Sequence, residues 1–356
     1  MALVTKIILY FTLICFFFGQ LFRLNFFNIS FPIFDIALLL LSFSNLLTQK
    51  NILKNIKHPV VIFIVFSLFT LVTNWLISSF SISSLFYWLR LSSLLSLFLF
   101  PLKIDTKTDK FFQLILWSIL IFGFIQYIFW PDFTAFSVFN WDPHLYRLGG
   151  AFFDPTFIGL IFLLFLLKIY FHHPSNYLLL FLPYIALALT YSRSSLLALF
   201  ITFSYISLKT KKLFLFISTL LIVSLTIIIL PRMPGEGTKL ERTSSIRAKI
   251  ENYQQGIKLF TSSPIIGLGY NNLPHIRPQK NSHSNSGFDG SLLTIAITTG
   301  IIGLFLFSKI FITNLSFASL YWQCLLLSVF IHSLFANSLL YPWILFFLAF
   351  ETRYRK

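Results

Sequence analysis

Four arginines and a histidine–aspartate pair are the side chains of this sequence whose types suit transfer chemistry at a phosphorylated ligand. Arg147 and Arg193 stand on short connections, in "YRLGGAFFDPTFIG" and "TYSRSSLLAL", while Arg242 and Arg247 belong to one long hydrophilic stretch. A guanidinium presents its donors in a planar fork that matches phosphate oxygens bidentately, so arginines gathered on one face suit a diphosphate. His283 precedes Asp289 by six residues in "NSHSNSGFDGSLL". An imidazole takes a proton from an attacking hydroxyl near neutral pH. Asp289 is either a second base, an orienter of the histidine, or a carboxylate favoured by a helix N-terminus.

The remaining polar residues narrow the chemistry. Histidines and acids expected on the same side as the arginines lack the spacing of a metal-ligand set, and "GLGYNN" is too short for a phosphate-binding glycine loop. Neither a metal nor another cofactor is expected. Cys15 and Cys324 both lie in apolar runs, which argues against disulfides and thiolate metal sites. The net charge of +16 is scattered between apolar segments instead of forming a continuous basic face, so nucleic acid is not an expected partner. Arg90, in "FYWLRLSSLL", falls inside an apolar run, where an arginine is a functional candidate unless it snorkels to an interface. His332, also in an apolar run, reads as structural, as do His58, His172 and His173.

With 57% hydrophobic residues, 11% charged and 47 phenylalanines, the chain is an integral membrane protein. The expected fold is all-α, a polytopic transmembrane bundle forming a single integral membrane domain over 1–356. Spans are expected at 4–21, 31–48, 59–78, 84–101, 111–130, 151–170, 177–191, 195–208, 213–230, 289–308, 315–334 and 338–350, about twelve in all. The last two share few residues, and Pro342 sits early in the second, so a re-entrant hairpin is an alternative there.

Twelve spans put both termini on one side. Lys50, Lys54 and Lys57, then Lys103, Lys107 and Lys110, Lys168, Lys209, Lys211, Lys212 and Lys309 all fall in the loops of that side, which makes it cytoplasmic. Seven arginines, Arg23, Arg147, Arg193, Arg232, Arg242, Arg247 and Arg277, fall on the other. Arg147 and Arg193 then either meet lipid headgroups, pair with Asp142 and Asp154, or hold an anionic ligand.

The one long hydrophilic stretch, 231–288, is an extracytoplasmic loop between spans nine and ten, and a loop of that length is functional more often than connective. Ile246, Ile250, Tyr253, Ile257 and Phe260 recur at helical spacing, which predicts an amphipathic helix around 245–260. Pro264, Gly267 and Gly269 then interrupt an apolar segment that dips toward the interface.

Four stretches resemble the O-antigen ligase and O-antigen polymerase superfamily: "RLGGAFFDPTFIGL", "LTYSRSSLLAL", "RAKIENYQQGIKLFTSSPIIGLGYNNL" and "HSNSGFDGSLLTIAITTGIIGLFLF". The resemblance implies a bacterial inner-membrane glycosyltransferase, polymerase or ligase, moving a glycan from a polyprenyl (undecaprenyl) diphosphate carrier to a glycan, lipid or protein acceptor. Metal-independent inverting transfer is implied, with Arg193 and Arg247 on the diphosphate and His283 activating the acceptor hydroxyl. The family histidine stands about eleven residues before the glycine opening "GIIG". Here His283 stands seventeen before Gly300, and the eleven-residue position is Asp289. A transporter or flippase for a lipid-linked or anionic solute is the competing reading, but it would concentrate polar groups near the bilayer midplane.

Overall fold

Each apolar run expected to span folds as a helix, because a backbone among apolar side chains must satisfy its own hydrogen bonds. The computed structural model describes residues 2–26, 29–49, 55–77, 82–139, 141–173, 176, 178–276, 287–313, 315 and 318–355. The helices are α1 (Ala2–Phe18), α2 (Ile33–Leu47), α3 (Pro59–Ile77), α4 (Ile82–Leu99), α5 (Thr106–Phe129), α6 (Pro155–His172) and α7 (Leu178–Leu189). They continue with α8 (Arg193–Thr210), α9 (Leu213–Ile229), α10 (Ser244–Ser262), α11 (Leu273–Ile276), α12 (Ser291–Ile312), α13 (Leu320–Ser333) and α14 (Pro342–Phe350). Among the described residues, five helices (α3, α4, α5, α6 and α12) are long and apolar enough to cross a membrane by length and composition.

Helix starts follow from local chemistry. The Asp105 carboxylate accepts from Thr108 N–H at 2.8 Å to open α5, and Asp154 accepts from Thr156 N–H at 2.7 Å just before Pro155 opens α6. Ser192 caps α8 by accepting from Ser195 N–H at 3.3 Å. Helix α6 is the axis of the bundle, its apolar residues buried almost all round, whereas α9 buries only Thr219 and turns Leu213, Phe214, Leu221 and Ile228 outward. An apolar helix so exposed is suited to lipid. Gly159 lets α6 approach the start of α8: an added Cβ would stand 2.7 Å from Ser195 Oγ and 2.9 Å from Thr190 Oγ1.

Three local features depart from a plain run of helices. Residues 23–32 form an antiparallel hairpin, β1 (Arg23–Phe26) with β2 (Ile29–Pro32), pinned where the Arg23 guanidinium donates to Ser30 Oγ and Ser30 O at 2.8 and 2.6 Å. Helix α12 breaks at Gly300 (φ 66°, ψ −172°), a conformation glycine adopts without strain. There the segment after α10 inserts its backbone, so that Ile301 N–H donates to Pro264 O and Leu268 N–H donates to Ile297 O, each at 2.9 Å. Helix α14 has nine residues, all buried, a rise of about 14 Å. That is under half of a hydrocarbon core, and 3-10 turns at Ser338–Leu340 and Glu351–Tyr354 extend it at both ends.

Lys168, expected in a loop, lies inside α6 and is 1% exposed. Its ammonium is 2.8 Å from Asp109 and 2.6 Å from Glu351, and Arg353 completes the cluster through Asp109. The cluster locks α5, α6 and the C-terminal turn together at the end of the bundle opposite α10.

Candidate functional site

Three of the four singled-out arginines converge at the α10 end. Arg147 approaches α6 on a segment whose backbone is fixed from two sides. Leu148 N–H donates to Leu189 O, and the N–H groups of Gly149 and Gly150 both donate to Gln126 Oε1, each at 2.9 Å. The Arg147 side chain, 6% exposed, donates from Nε to Thr190 O at 2.9 Å. Arg193 is the first residue of α8, and its guanidinium donates to Leu240 O at 3.3 Å, Arg242 O at 2.8 Å and Ser245 Oγ. Arg242 in turn donates to Lys239 O at 3.1 Å and to Gly237 O.

Arg147 and Arg242 line a pocket of about 330 Å³ with Glu236, Gly237, Ser244, Ser245 and Ala248. Among the described residues, none of the three arginines has a carboxylate within ion-pair distance. Burial pulls the Arg147 guanidinium down to about 10, with the Arg242 and Arg193 charges adding to the fall and Asp154 opposing it. Burial and then Arg193 lower Arg242 in the same way, against Glu236. Each guanidinium stays protonated at neutral pH, so the pocket gathers positive charge whose hydrogen-bond partners are neutral carbonyls and hydroxyls, with Glu236 the carboxylate in its lining. An anion is the ligand such a place favours. Arg247 is exposed on α10 and is not part of this lining.

Asp289 belongs to a second, larger space. It precedes the α12 N-cap Gly290, its N–H donates to Asn252 Oδ1 at 2.8 Å, and its carboxylate is 3.4 Å from Lys249 Nζ on α10. Both line a cavity of about 600 Å³, and His283 lies outside the described residues.

That cavity collects residues that the sequence did not assign to a site: Arg23, Asp35, Arg90, His144 and Asp154. Arg90 is ion-paired with Asp35 at 3.2 Å, a partnership across 55 positions that no local pattern signals, although a charge in an apolar run marks each member alone. His144 stands between the two spaces electrostatically. Burial, with help from Arg147 and Arg242 and against Asp142, pushes its imidazole down to about 4. His332 is fully buried, with Nε2 3.1 Å from Ser194 Oγ and Nδ1 2.6 Å from Ser338 Oγ, and so joins α13 to α8. Among the described residues, no three His, Cys, Asp or Glu side chains gather as a metal site.

The family model described as O-antigen ligase matches residues 178–308. Across this stretch the chain is similar to the O-antigen ligase family, which supports a place in the O-antigen ligase and polymerase superfamily. A search of curated proteins finds no match. The O-antigen ligase match runs from α7 through most of α12 and takes in Arg193, Arg242, Arg247 and Asp289. Arg147, Asp35 and Arg90 lie before it; beside Arg147, Leu148 N–H donates into the matched segment at Leu189 O, and on the helix of Arg90, Ser84 Oγ donates to Asn271 O. The match and the apolar helices support a multi-pass membrane protein of the glycan-processing type, the family implying in general terms a lipid-linked glycan donor and a glycan acceptor.

Proposed function

We propose that this protein transfers a glycan from a polyprenyl diphosphate carrier to an acceptor hydroxyl without a metal, as a polysaccharide polymerase or ligase of the cell envelope. Arg147 and Arg242 lining one pocket, with Arg193 bonded at its edge to Arg242 O and Ser245 Oγ, carry the reading. As the acceptor oxygen attacks the anomeric carbon, the bond to the carrier breaks and its electron pair goes to the diphosphate. Guanidiniums preorganised there stabilise that charge in the transition state. Their present acceptors are neutral, and exchange for phosphate oxygens strengthens each hydrogen bond. Arg247, on the α10 turn beside this pocket, is the fourth contact.

The proton of the acceptor hydroxyl passes to a base at the mouth of the larger cavity, Asp289 or His283. Asp289 already stands there, oriented by Lys249 and Asn252. Lysine placement supports both termini inside and the site on the outer face, and the family match supports a bacterial cytoplasmic-membrane protein. Twelve crossings remain the topology we favour, with α14 and its flanking turns completing the last. The test is reconstitution of the purified protein with the polyprenyl diphosphate glycan of its own source, reading products by mass spectrometry. A ladder of lengths identifies a polymerase and a single addition to a separate acceptor a ligase; no transfer at all overturns the proposal.

A further inference from the structure

Helix α10 descends along α12. Tyr253 stands against Gly290, Gly256 against Leu293 and Ile297, and Ile265 against Gly300; a Cβ added at Gly256 would lie 2.7 Å from Leu293 Cδ2, and one at Gly300 would strike Ile265 O. Successive positions of the two helices meet in the same order, so the second half of α10 runs beside the first half of α12. The bond from Ile301 N–H to Pro264 O closes the descent at the α12 break. Gly300 is nine residues from Ser291 and nine from Lys309, about 14 Å from each at about 1.5 Å per residue. Helix α12 is long and apolar enough to cross a membrane, which puts its break near the middle of a core of about 30 Å. The chain then climbs again. Gly269 packs on Asn74 near the end of α3, and Ser84 near the start of α4 donates to Asn271 O at 2.9 Å.

The outward surface of this descent is apolar. Ile257 and Ile265 are 54% and 62% exposed, and beyond the Pro264–Ile301 bond the same surface continues on Ile301 and Phe305 of α12, 52% and 65% exposed. The exposed hydroxyls beside them are spent on their own helix: Thr261 Oγ1 donates to Lys258 O at 2.8 Å and Ser262 Oγ to Leu259 O at 2.7 Å. Such internal bonding is what a polar group away from water requires. Lys258 has a stem long enough to carry its charge up to the headgroups. We infer that the second half of α10 and residues 264–268 form a re-entrant element in the outer leaflet, where Ile257, Ile265 and Ile266 contact lipid acyl chains. The leaflet then steadies both spaces of the site, because the first half of α10 lends Ser244, Ser245 and Ala248 to the small pocket and Lys249 and Asn252 to the large cavity. This inference rests on the membrane crossing of α12 and is independent of the transfer reading.

Depth-resolved fluorescence quenching tests it. The full-length variants Ile257→Cys, Ile265→Cys and Gln254→Cys are labelled with bimane, checked for an unchanged melting temperature and placed in phosphatidylcholine liposomes. Cys15 and Cys324 are buried, and wild type treated alike gives the background. Quenchers are lipids with a doxyl group near the carbonyl or midway down the chain, and iodide in the outer water. The label at 265 is expected to lose most fluorescence to the mid-chain doxyl, the label at 257 to the shallow one, and the label at 254 to iodide. Should Ile265→Cys fail to fold, Ile266→Cys takes its place with the same expectation. Quenching at 265 by iodide as strong as at 254, or quenching by mid-chain doxyl no stronger at 265 than at 257, overturns the re-entrant element.

Discussion

Arg193 Nη1 donates to the backbone carbonyl of Arg242 at 2.8 Å, so the first turn of α8 and the loop carrying a second clamp arginine move as one unit. The same guanidinium reaches Leu240 O and Ser245 Oγ, which ties the start of α10 to that turn as well. Arg193 therefore has two roles in the account, as a charge near the diphosphate and as the brace that shapes its pocket.

Arg193→Lys keeps the charge but cannot span three acceptors. Charge-assisted hydrogen bonds contribute about 1.5–3 kcal/mol each, so transfer is expected to fall roughly tenfold to a hundredfold or more. Initial rates in proteoliposomes check this against membrane-inserted protein quantified on the same samples. Near-normal activity would remove Arg193 from the clamp.

Asp289→Asn and His283→Ala separate the two candidate bases. The account places Asp289 at the cavity and expects its amide to lower kcat by about a hundredfold or more, the usual worth of a general base. Should His283→Ala alone be inactive, the base is the histidine and Asp289 is an anchor for Lys249.

The His144 imidazole gives an acid-sensitive stability. Its folded value of about 4 lies below the value of about 6.5 for an exposed histidine, so the unfolded chain binds the extra proton first as pH falls. The contribution is fully present above pH 6.5 and is lost as pH drops toward 4. Melting temperatures of the purified protein at pH 7 and pH 4.5 should differ less for His144→Gln than for the wild type; an equal drop in both would assign the acid limb to other groups.

Lys168→Met leaves Asp109 and Glu351 facing each other at the opposite end of the bundle, with Glu351 fully buried. Removing one partner of a buried ionic cluster costs about 3–5 kcal/mol. A large fall in melting temperature or a loss of folded protein is expected, without a specific change in KM for the protein that does fold.

The helical segments were legible because apolar runs of this length leave the backbone few alternatives, and Arg147 and Arg193 stood out because each is a cation near the edge of such a run, while Arg242 was marked only as an arginine of the long loop. Their convergence was not legible. It depends on Gln126 holding the Gly149–Gly150 backbone and on Arg193 reaching carbonyls more than forty positions away. The Asp35–Arg90 pair was hidden for the same reason, since each residue alone reads as an isolated charge. Lys168 shows the converse failure: a lysine near the end of an apolar run counted as a loop charge but is consumed by two carboxylates inside the bundle. Helix α14 read as a span on hydropathy, and its nine apolar residues also fill the core, a burial that hydropathy alone does not reveal.

The most direct measurement is the rate at which purified, reconstituted protein releases polyprenyl diphosphate from its glycan-loaded carrier in excess EDTA, compared between wild type and Arg147→Lys. The account predicts undiminished release by the wild type under chelation and a loss of about tenfold or more in the variant. Release that stops in EDTA and returns with magnesium, or a variant as fast as the wild type, would contradict a metal-free diphosphate clamp built on Arg147, Arg193 and Arg242.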